Sequence, residues 1–152
     1  MLYADAGHNL LMPAFRFRHQ LQARFRDCDL LGHVNNAVYF TYMEEARWAY
    51  WRELTGDFPH DRLPGLILAR AECDFVRPVN AGERIDIWMG TTKIGRTSMS
   101  IDCEILDQRG QAVAKGRTVM VTYDYAAAKP VPVPDWARTR IEEYEGRQLS
   151  RS

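Results

Sequence analysis

Five polar side chains that could take part in chemistry fall within ten residues of the chain. They are Asp27, Asp29, His33, Asn35 and Asn36, and a mainly apolar segment follows them at once. A carboxylate can act as a base or a nucleophile. The first turn of a helix exposes unpaired N–H groups that favour negative charge. This spacing therefore predicts a site at the start of a buried helix.

Each carboxylate near this site also has a structural interpretation. Asp27 could form an ion pair with Arg26 or Arg47, and Asp29 could cap the polar loop. Glu44 could pair with Arg47, which lies three residues later on the predicted helix. The residue types alone leave these alternatives open beside a catalytic role.

The histidine and the two asparagines have structural alternatives as well. His33 could form hydrogen bonds within the loop or could position substrate or water. Asn35 and Asn36 are typical turn and helix-capping residues, and neither amide titrates near neutral pH. On the strand pattern, Cys28 points away from Asp29, which argues against a nucleophilic cysteine.

A strand should lead into this polar loop. Phe17, Leu21, Ala23 and Phe25 alternate with polar residues, which is the pattern of a half-buried strand. If the extended conformation continues, Asp27 and Asp29 lie on the apolar face. We predict a helix from about Ala37 to Leu54 after the loop, capped by Asn35 or Asn36 and stopped by Gly56.

The rest of the chain predicts mainly antiparallel strands. Gly95-Arg96, Gln108-Arg109-Gly110 and Asn80-Ala81-Gly82 are typical of tight connections. The order predicts an α+β fold with one helix against one sheet. Asp135 could cap a short polar helix that ends near Tyr144. The predicted strands are Leu66–Pro78, Glu83–Ile94, Thr97–Leu106 and Ala112–Asp124.

Composition narrows the functional classes. Twenty Lys and Arg balance twenty Asp and Glu in 152 residues, which argues against a general nucleic-acid binder. Three cysteines without CxxC spacing favour a reduced, cytoplasmic setting. No apolar run is long enough to span a membrane, so we expect no membrane partner. No His/Cys/Asp cluster has metal-ligand spacing, and we predict no metal.

The motif from Asp27 to Arg47 resembles the signature of a known enzyme family. It reads DxD–x2–GHVNN–x2–Y–x2–Y–x–E–x–AR and is similar to that of the hotdog-fold acyl-CoA thioesterases. The 4-hydroxybenzoyl-CoA thioesterase family is the group it resembles most, and HVNN is also similar to acyl-ACP thioesterases. The resemblance implies a five-stranded antiparallel sheet wrapped around one long central helix. The chain would form a single domain over residues 1–152, with a core at about 17–125 and a C-terminal extension at 126–152.

The resemblance also implies roles for individual residues. Asp29 would be the catalytic carboxylate, and N–H groups near Asn36 and Ala37 would stabilise the oxyanion. His33 and Asn36 complete the predicted catalytic set. Coenzyme A would enter only as part of the substrate, with no resident cofactor. The residues predicted to contact the acyl group and the thioester are Asn35, Ala37, Tyr39, Tyr42 and Met43. The position of three arginines on or beside predicted strands, rather than the resemblance, predicts that they bind the anionic coenzyme A: Arg70, Arg96 and Arg117.

The family architecture implies a homodimer or homotetramer with active sites at subunit interfaces. The carrier on the substrate could be coenzyme A or an acyl carrier protein. Asn35-Asn36 stands where benzoyl-type members often carry an aromatic residue or a histidine, which favours an aliphatic or carrier-protein-linked acyl group. Two other functions stay open: a hydratase or dehydratase using an Asp–His pair, and a non-catalytic acyl-CoA binder.

Overall fold

A six-stranded antiparallel sheet packs against one long helix. The structure is a computed structural model that describes residues 14–56 and 64–149. The long helix, α1, spans Asn36–Thr55, and a second helix, α2, spans Asp135–Glu145. The strands run in the order β1-β3-β4-β5-β2, with β6 paired to β5. They are β1 Phe17–Gln22, β2 Gly65–Phe75, β3 Arg84–Ile94, β4 Ser98–Asp107, β5 Ala112–Asp124 and β6 Lys129–Pro130.

The predicted sheet of five strands was one strand too small, whereas the short helix predicted to end near Tyr144 is present beside the long one. After β5 the chain turns back, and β6 adds two residues opposite Tyr123 and Asp124. Helix α2 is not wholly polar, because Ala137 and Ile141 are buried in the core. Asp135 is its first residue rather than its cap, a position that Pro134 occupies. The prediction of one domain over 1–152 also covers 1–13, 57–63 and 150–152, which lie outside the described residues.

Helix α1 forms where the sequence predicted it, and its ends have the expected chemistry. The Asn35 side chain accepts a hydrogen bond from the Ala37 N–H at 2.9 Å, which caps the first turn. Gly56 ends the helix with a φ of 51°, a value that favours glycine. Fully burying a large apolar side chain contributes about 1.5–3 kcal/mol. The buried residues of α1 are Tyr39, Tyr42, Met43, Ala46, Tyr50, Trp51, Leu54 and Thr55.

Strand β1 stops earlier than its alternating pattern predicted. Ladder pairing with β3 ends at Gln22, and a short 3-10 helix, Phe25–Asp27, follows. The Arg24 N–H donates to the Asp27 carboxylate at 2.9 Å, a local bond that competes with strand pairing. As a result Asp27 is buried while Asp29 is exposed, so the prediction that both lie on the apolar face was wrong. Phe25, predicted to face inward, is 90% exposed.

Candidate active site

Asp27 is held inside the protein by its neighbours rather than by the arginines that the sequence suggested. Its Oδ2 accepts a 2.7 Å hydrogen bond from the Tyr42 hydroxyl and a 2.9 Å bond from the Arg24 N–H. The Arg24 guanidinium lies 3.5 Å from the same oxygen. The predicted pairing with Arg26 or Arg47 was wrong, because the 3-10 turn brings Arg24 to Asp27 instead.

These contacts keep Asp27 ionised. Burial raises the pKa of this carboxyl, but the hydrogen bonds from Tyr42 and Arg24 and the charge of Arg24 outweigh it and lower the pKa below its ordinary value. The pKa of Tyr42 is raised, first by burial and then by the adjacent Asp27, so its hydroxyl remains a donor. Asp27 is therefore a fixed acceptor with no proton to give and little exposed surface.

The backbone of Asp27 ties the loop to the start of α1. Its carbonyl accepts the Asn35 N–H at 2.9 Å, directly before the helix. Cys28 and Val34 form an antiparallel bridge, and the Val34 N–H donates to the Val79 carbonyl at 2.8 Å. These bonds close the segment between residues 28 and 34 into a short loop against the helix N-terminus.

Asp29 lies at the turn of this loop. Its Oδ1 accepts the Leu31 N–H at 2.9 Å, and its own N–H donates to the His33 carbonyl at 2.9 Å. Gly32, at a φ of 81°, permits the turn. Asp29 therefore caps the loop as the sequence allowed, but through Oδ1 alone. Within residues 14–56 and 64–149, Oδ2 of Asp29 has no hydrogen-bond donor, so this oxygen is open to the groove.

The first turn of α1 offers one free donor beside this carboxylate. The Ala37 N–H is occupied by the Asn35 cap, and the Val38 N–H donates to the Asn35 carbonyl at 2.9 Å. In the described part of the chain, the Asn36 N–H has no acceptor. The prediction that Asn36 and Ala37 both supply oxyanion donors is therefore wrong for Ala37. The remaining donor, the N–H of Asn36, lies at the positive end of the α1 dipole.

A groove of about 400 Å³ joins the loop, the helix start and the end of β2. The Tyr39 ring forms one wall and meets the Phe75 ring edge-on, with centroids 5.2 Å apart. Burial raises the pKa of Tyr39 to about 12, so its hydroxyl stays neutral. The groove is lined by Asp29, Leu31, His33, Val34, Asn35, Asn36, Tyr39, Phe75, Val76, Arg77 and Pro78.

Several predicted binding residues lie elsewhere. Tyr42 and Met43 are each 1% exposed and belong to the core, since their side chains point to the sheet side of the helix. Arg70 pairs with Glu72 at 2.8 Å on β2. Arg117 makes two hydrogen bonds to Asp102, at 2.7 and 2.8 Å.

Arg96 is exposed, and its carbonyl accepts the N–H of Val133, which lies between β6 and α2. None of these three arginines is among the groove residues. They were chosen because they lie on or beside strands, and a strand position alone does not say which end of the sheet faces the helix start.

Arg77 is the basic residue at the groove that the sequence analysis missed. It follows β2, whose end lies beside the N-terminus of α1, and its guanidinium donates to the Gln111 side chain. Pro78 comes next, which favours an extended Arg77 backbone. The signal lay in the topology: β2 runs back along α1, so the residues after Phe75 arrive at the N-terminal end of that helix.

The residues described at 14–56 and 64–149 hold neither a cluster of metal ligands nor a membrane-spanning helix. Those residues contain no group of three or more His, Cys, Asp or Glu side chains able to hold a metal ion. The absence of a metal from the working protein stays a prediction. Neither of the helices described at 36–55 and 135–145 is long and apolar enough to cross a membrane.

Known proteins with similar folds include CoA-binding enzymes. A thioesterase from Thermus thermophilus, solved with coenzyme A and Zn, is 36% identical with a TM-score of 0.80, covering 91% of this chain and all of that one. A predicted thioesterase from Bacillus stearothermophilus is 28% identical with a TM-score of 0.76, covering 90% and 98%. A 1,4-dihydroxy-2-naphthoyl-CoA hydrolase from Synechococcus elongatus is 28% identical over 123 residues, covering 78% of this chain and 90% of the relative.

The sequence profile of one family matches most of the chain. The matching profile is that of the thioesterase-like superfamily, and it covers residues 23–141. That range includes the Asp27–Asn36 loop, α1 and strands β2 to β6. The match, the shared fold and the carboxylate beside a helix N-terminus agree with one another. The chain belongs to the thioesterase-like superfamily.

Proposed function

We propose that this protein hydrolyses an acyl-CoA thioester to a free acid and a thiol. One observation carries the proposal: Asp29, which has an unbonded carboxylate oxygen, and Asn36, whose N–H has no acceptor among the described residues, line the same groove. Thioester hydrolysis needs a carboxylate to attack or to activate water, and a donor for the oxyanion. Asp29 lies in the loop directly before α1, and Asn36 is the first residue of that helix.

Asp29 supplies the first requirement in either of two ways. As a base, it removes a proton from the water that attacks the thioester carbon. As a nucleophile, it forms an acyl-enzyme anhydride and expels the thiolate, and water then hydrolyses the anhydride. In both routes the carbonyl oxygen becomes negative, and the thiolate leaves and takes up a proton.

The Asn36 N–H supplies the second requirement. It lies at the positive end of the α1 dipole and is already fixed by the Asn35 cap, so no reorganisation is needed as charge develops. Removal of one such donor typically costs about 2.7–4 kcal/mol of transition-state stabilisation. His33 also lines the groove, and its side chain would position the substrate or the water.

Arg77 would attract the anionic coenzyme A portion of the substrate. It lines the groove, and a guanidinium binds phosphate with two parallel hydrogen bonds. The Thermus thermophilus relative was solved with coenzyme A, which supports this carrier over an acyl carrier protein. The relative from Synechococcus elongatus acts on an aromatic acyl group, so aromatic thioesters join the aliphatic ones favoured by Asn35-Asn36.

We also propose that the working protein is a homo-oligomer, at least a dimer. Phe25, Leu30 and Leu31 are 90%, 106% and 81% exposed, and Leu31 lines the groove, which is a costly arrangement for a monomer. Strand β2 is an edge of the sheet and could pair with a second copy of itself. Light scattering should give a mass of at least twice 17.6 kDa, and an active monomer would contradict this.

Free-thiol release tests the proposed reaction. The purified protein would be mixed with aliphatic and aromatic acyl-CoA thioesters, and the released thiol would be measured with a colour reagent. We expect turnover of at least one thioester. Hydration of an enoyl-CoA without thiol release would instead identify a hydratase. Binding without any turnover across the panel would identify an acyl-CoA binder.

A further inference from the structure

A second pocket lies between the later half of α1 and the sheet. Its volume is about 180 Å³, and Trp48, Trp51, Leu66 and Met99 form much of its wall. It shares no lining residue with the groove at Asp29. The helix rises about 1.5 Å per residue, so Arg47, which also lines this pocket, stands roughly 16 Å along α1 from Asn36.

Arg47 is an unusual member of this apolar wall. It is half-buried, and burial lowers the pKa of its guanidinium, opposed by the negative charge of Glu44 nearby. Glu44 had been predicted to pair with Arg47, but no ion pair or hydrogen bond joins them in the described chain. Among the described residues Arg47 has no hydrogen-bond acceptor at all.

The Arg47 guanidinium keeps its N–H groups in contact with solvent, so a ligand that enters the pocket has to replace this hydration with its own acceptor. The guanidinium remains charged, because arginine is not deprotonated in proteins. Its planar donors match a carboxylate with two parallel hydrogen bonds. The apolar walls around it match a hydrocarbon body, so the two features together describe an amphipathic anion.

We propose that this pocket binds an apolar monocarboxylate, with its carboxylate on Arg47 and its hydrocarbon body against Trp48, Trp51 and Leu66. The size is suitable, because an apolar cavity of about 150 Å³ can take up benzene. Glu44 stands at the same pocket and weakens the attraction, since its charge opposes the incoming anion. The ligand class is that of the acid released by the proposed hydrolysis, and this link to the product rests on the proposed function.

Tryptophan fluorescence tests the binding without any assay of hydrolysis. Trp48 is 52% exposed at the pocket, so a ligand there should change its emission. Octanoate would be titrated against the intact protein, with octanamide as a neutral ligand of equal length. We expect octanoate to bind at least tenfold more tightly than octanamide, because only the carboxylate brings a negative charge to Arg47 and can accept two parallel hydrogen bonds from it.

Two charge variants assign the site. Arg47→Met should weaken octanoate binding at least tenfold, while Glu44→Gln should strengthen it and leave octanamide unaffected. Because Glu44 is exposed, Glu44→Gln should fold normally even if Arg47→Met does not. Trp48→Phe should reduce the fluorescence change, and the part that remains should come from Trp51, which lines the same pocket.

Three results would overturn the proposal. Octanoate and octanamide could bind equally, Glu44→Gln could leave octanoate binding unchanged, or emission could respond to protein concentration alone. The last result would mean that a second copy of the chain covers the pocket. None of these outcomes depends on thiol release, so a failure here is distinct from a failure of the proposed hydrolysis.

Discussion

The Tyr42 hydroxyl donates a 2.7 Å hydrogen bond to the carboxylate of Asp27, and this contact separates the roles of the two aspartates in the DxD motif. Asp27 is held by the helix and faces the core, whereas Asp29, two residues later, keeps an oxygen open to the groove. Tyr42, which fixes Asp27, belongs to α1, and the N–H of Asn36 lies at the start of the same helix. The proposed reaction therefore gives Asp27 a positioning role and leaves Asp29 as the carboxylate that would react.

Loss of the Tyr42–Asp27 bond should destabilise the protein. Tyr42→Phe keeps the ring but removes the donor from a buried carboxylate, and we expect the free energy of unfolding to fall by about 1.5–3 kcal/mol. Urea denaturation at neutral pH measures the change. Tyr39→Phe is the matched control: its hydroxyl has no protein partner in the described segments, so we expect a change within about 0.5 kcal/mol. Equal losses in both variants would contradict the assignment.

The stability that Asp27 contributes should depend on pH in a defined direction. Its folded-state pKa is lowered, so its contribution is fully present above the unfolded pKa of about 3.9 and is lost as the pH falls through the folded value. The difference in unfolding free energy between wild type and Asp27→Asn should be largest near neutral pH. Below about pH 4 it should shrink. A difference that grows on acidification would show that the sign is wrong.

The oxyanion donor can be removed without removing the helix. Proline is tolerated at the first position of a helix, and Asn35, with φ −61° and ψ 138°, has the backbone that a residue before proline prefers. We expect Asn36→Pro to keep its circular dichroism and to lose about 10²–10³-fold in kcat. Asn36→Ser, which retains the N–H, is the control and should keep most of its activity. If both variants behave alike, the backbone N–H is not the donor.

Arg77 should govern substrate binding rather than the chemical step. Arg77→Gln removes one positive charge from the groove, so KM for an acyl-CoA should rise several-fold while kcat changes little. The wild-type KM should also rise with ionic strength, since salt screens the attraction. Arg96→Gln makes the same change in net charge away from the groove and should leave KM unaltered. A KM shift of equal size in both variants would show that the effect comes from the net charge of the protein and not from the position of Arg77.

The sequence predicted the helix well because its signals are local. The Asn35 cap, the apolar spacing through Tyr42 and Ala46, and the Gly56 stop all act within a few residues. The positions of the four later strands follow from alternation and turn residues in the same way. The short β6 lacks such a signal, since two residues hold no pattern.

The side-chain directions around the site could not be read from alternation. A carboxylate that accepts a nearby N–H ends the strand, and after that point the period of two no longer applies to Asp27 and Asp29. Arg77 was missed for a different reason, because its place depends on which strand end reaches the start of α1. Such long-range relations are set by topology and are absent from local spacing.

The assignment of Asp29 as the catalytic carboxylate is the central claim, and one substitution tests it most directly. Asp29→Asn removes the charge, yet its amide oxygen can still accept the Leu31 N–H, so the loop and the stability of the protein should be preserved. The measurement is kcat for thiol release from the best acyl-CoA substrate, with the free energy of unfolding measured in parallel. We predict a fall in kcat of about 10²-fold or more with stability within about 0.5 kcal/mol of wild type. Near-normal turnover by a folded Asp29→Asn protein would contradict the account.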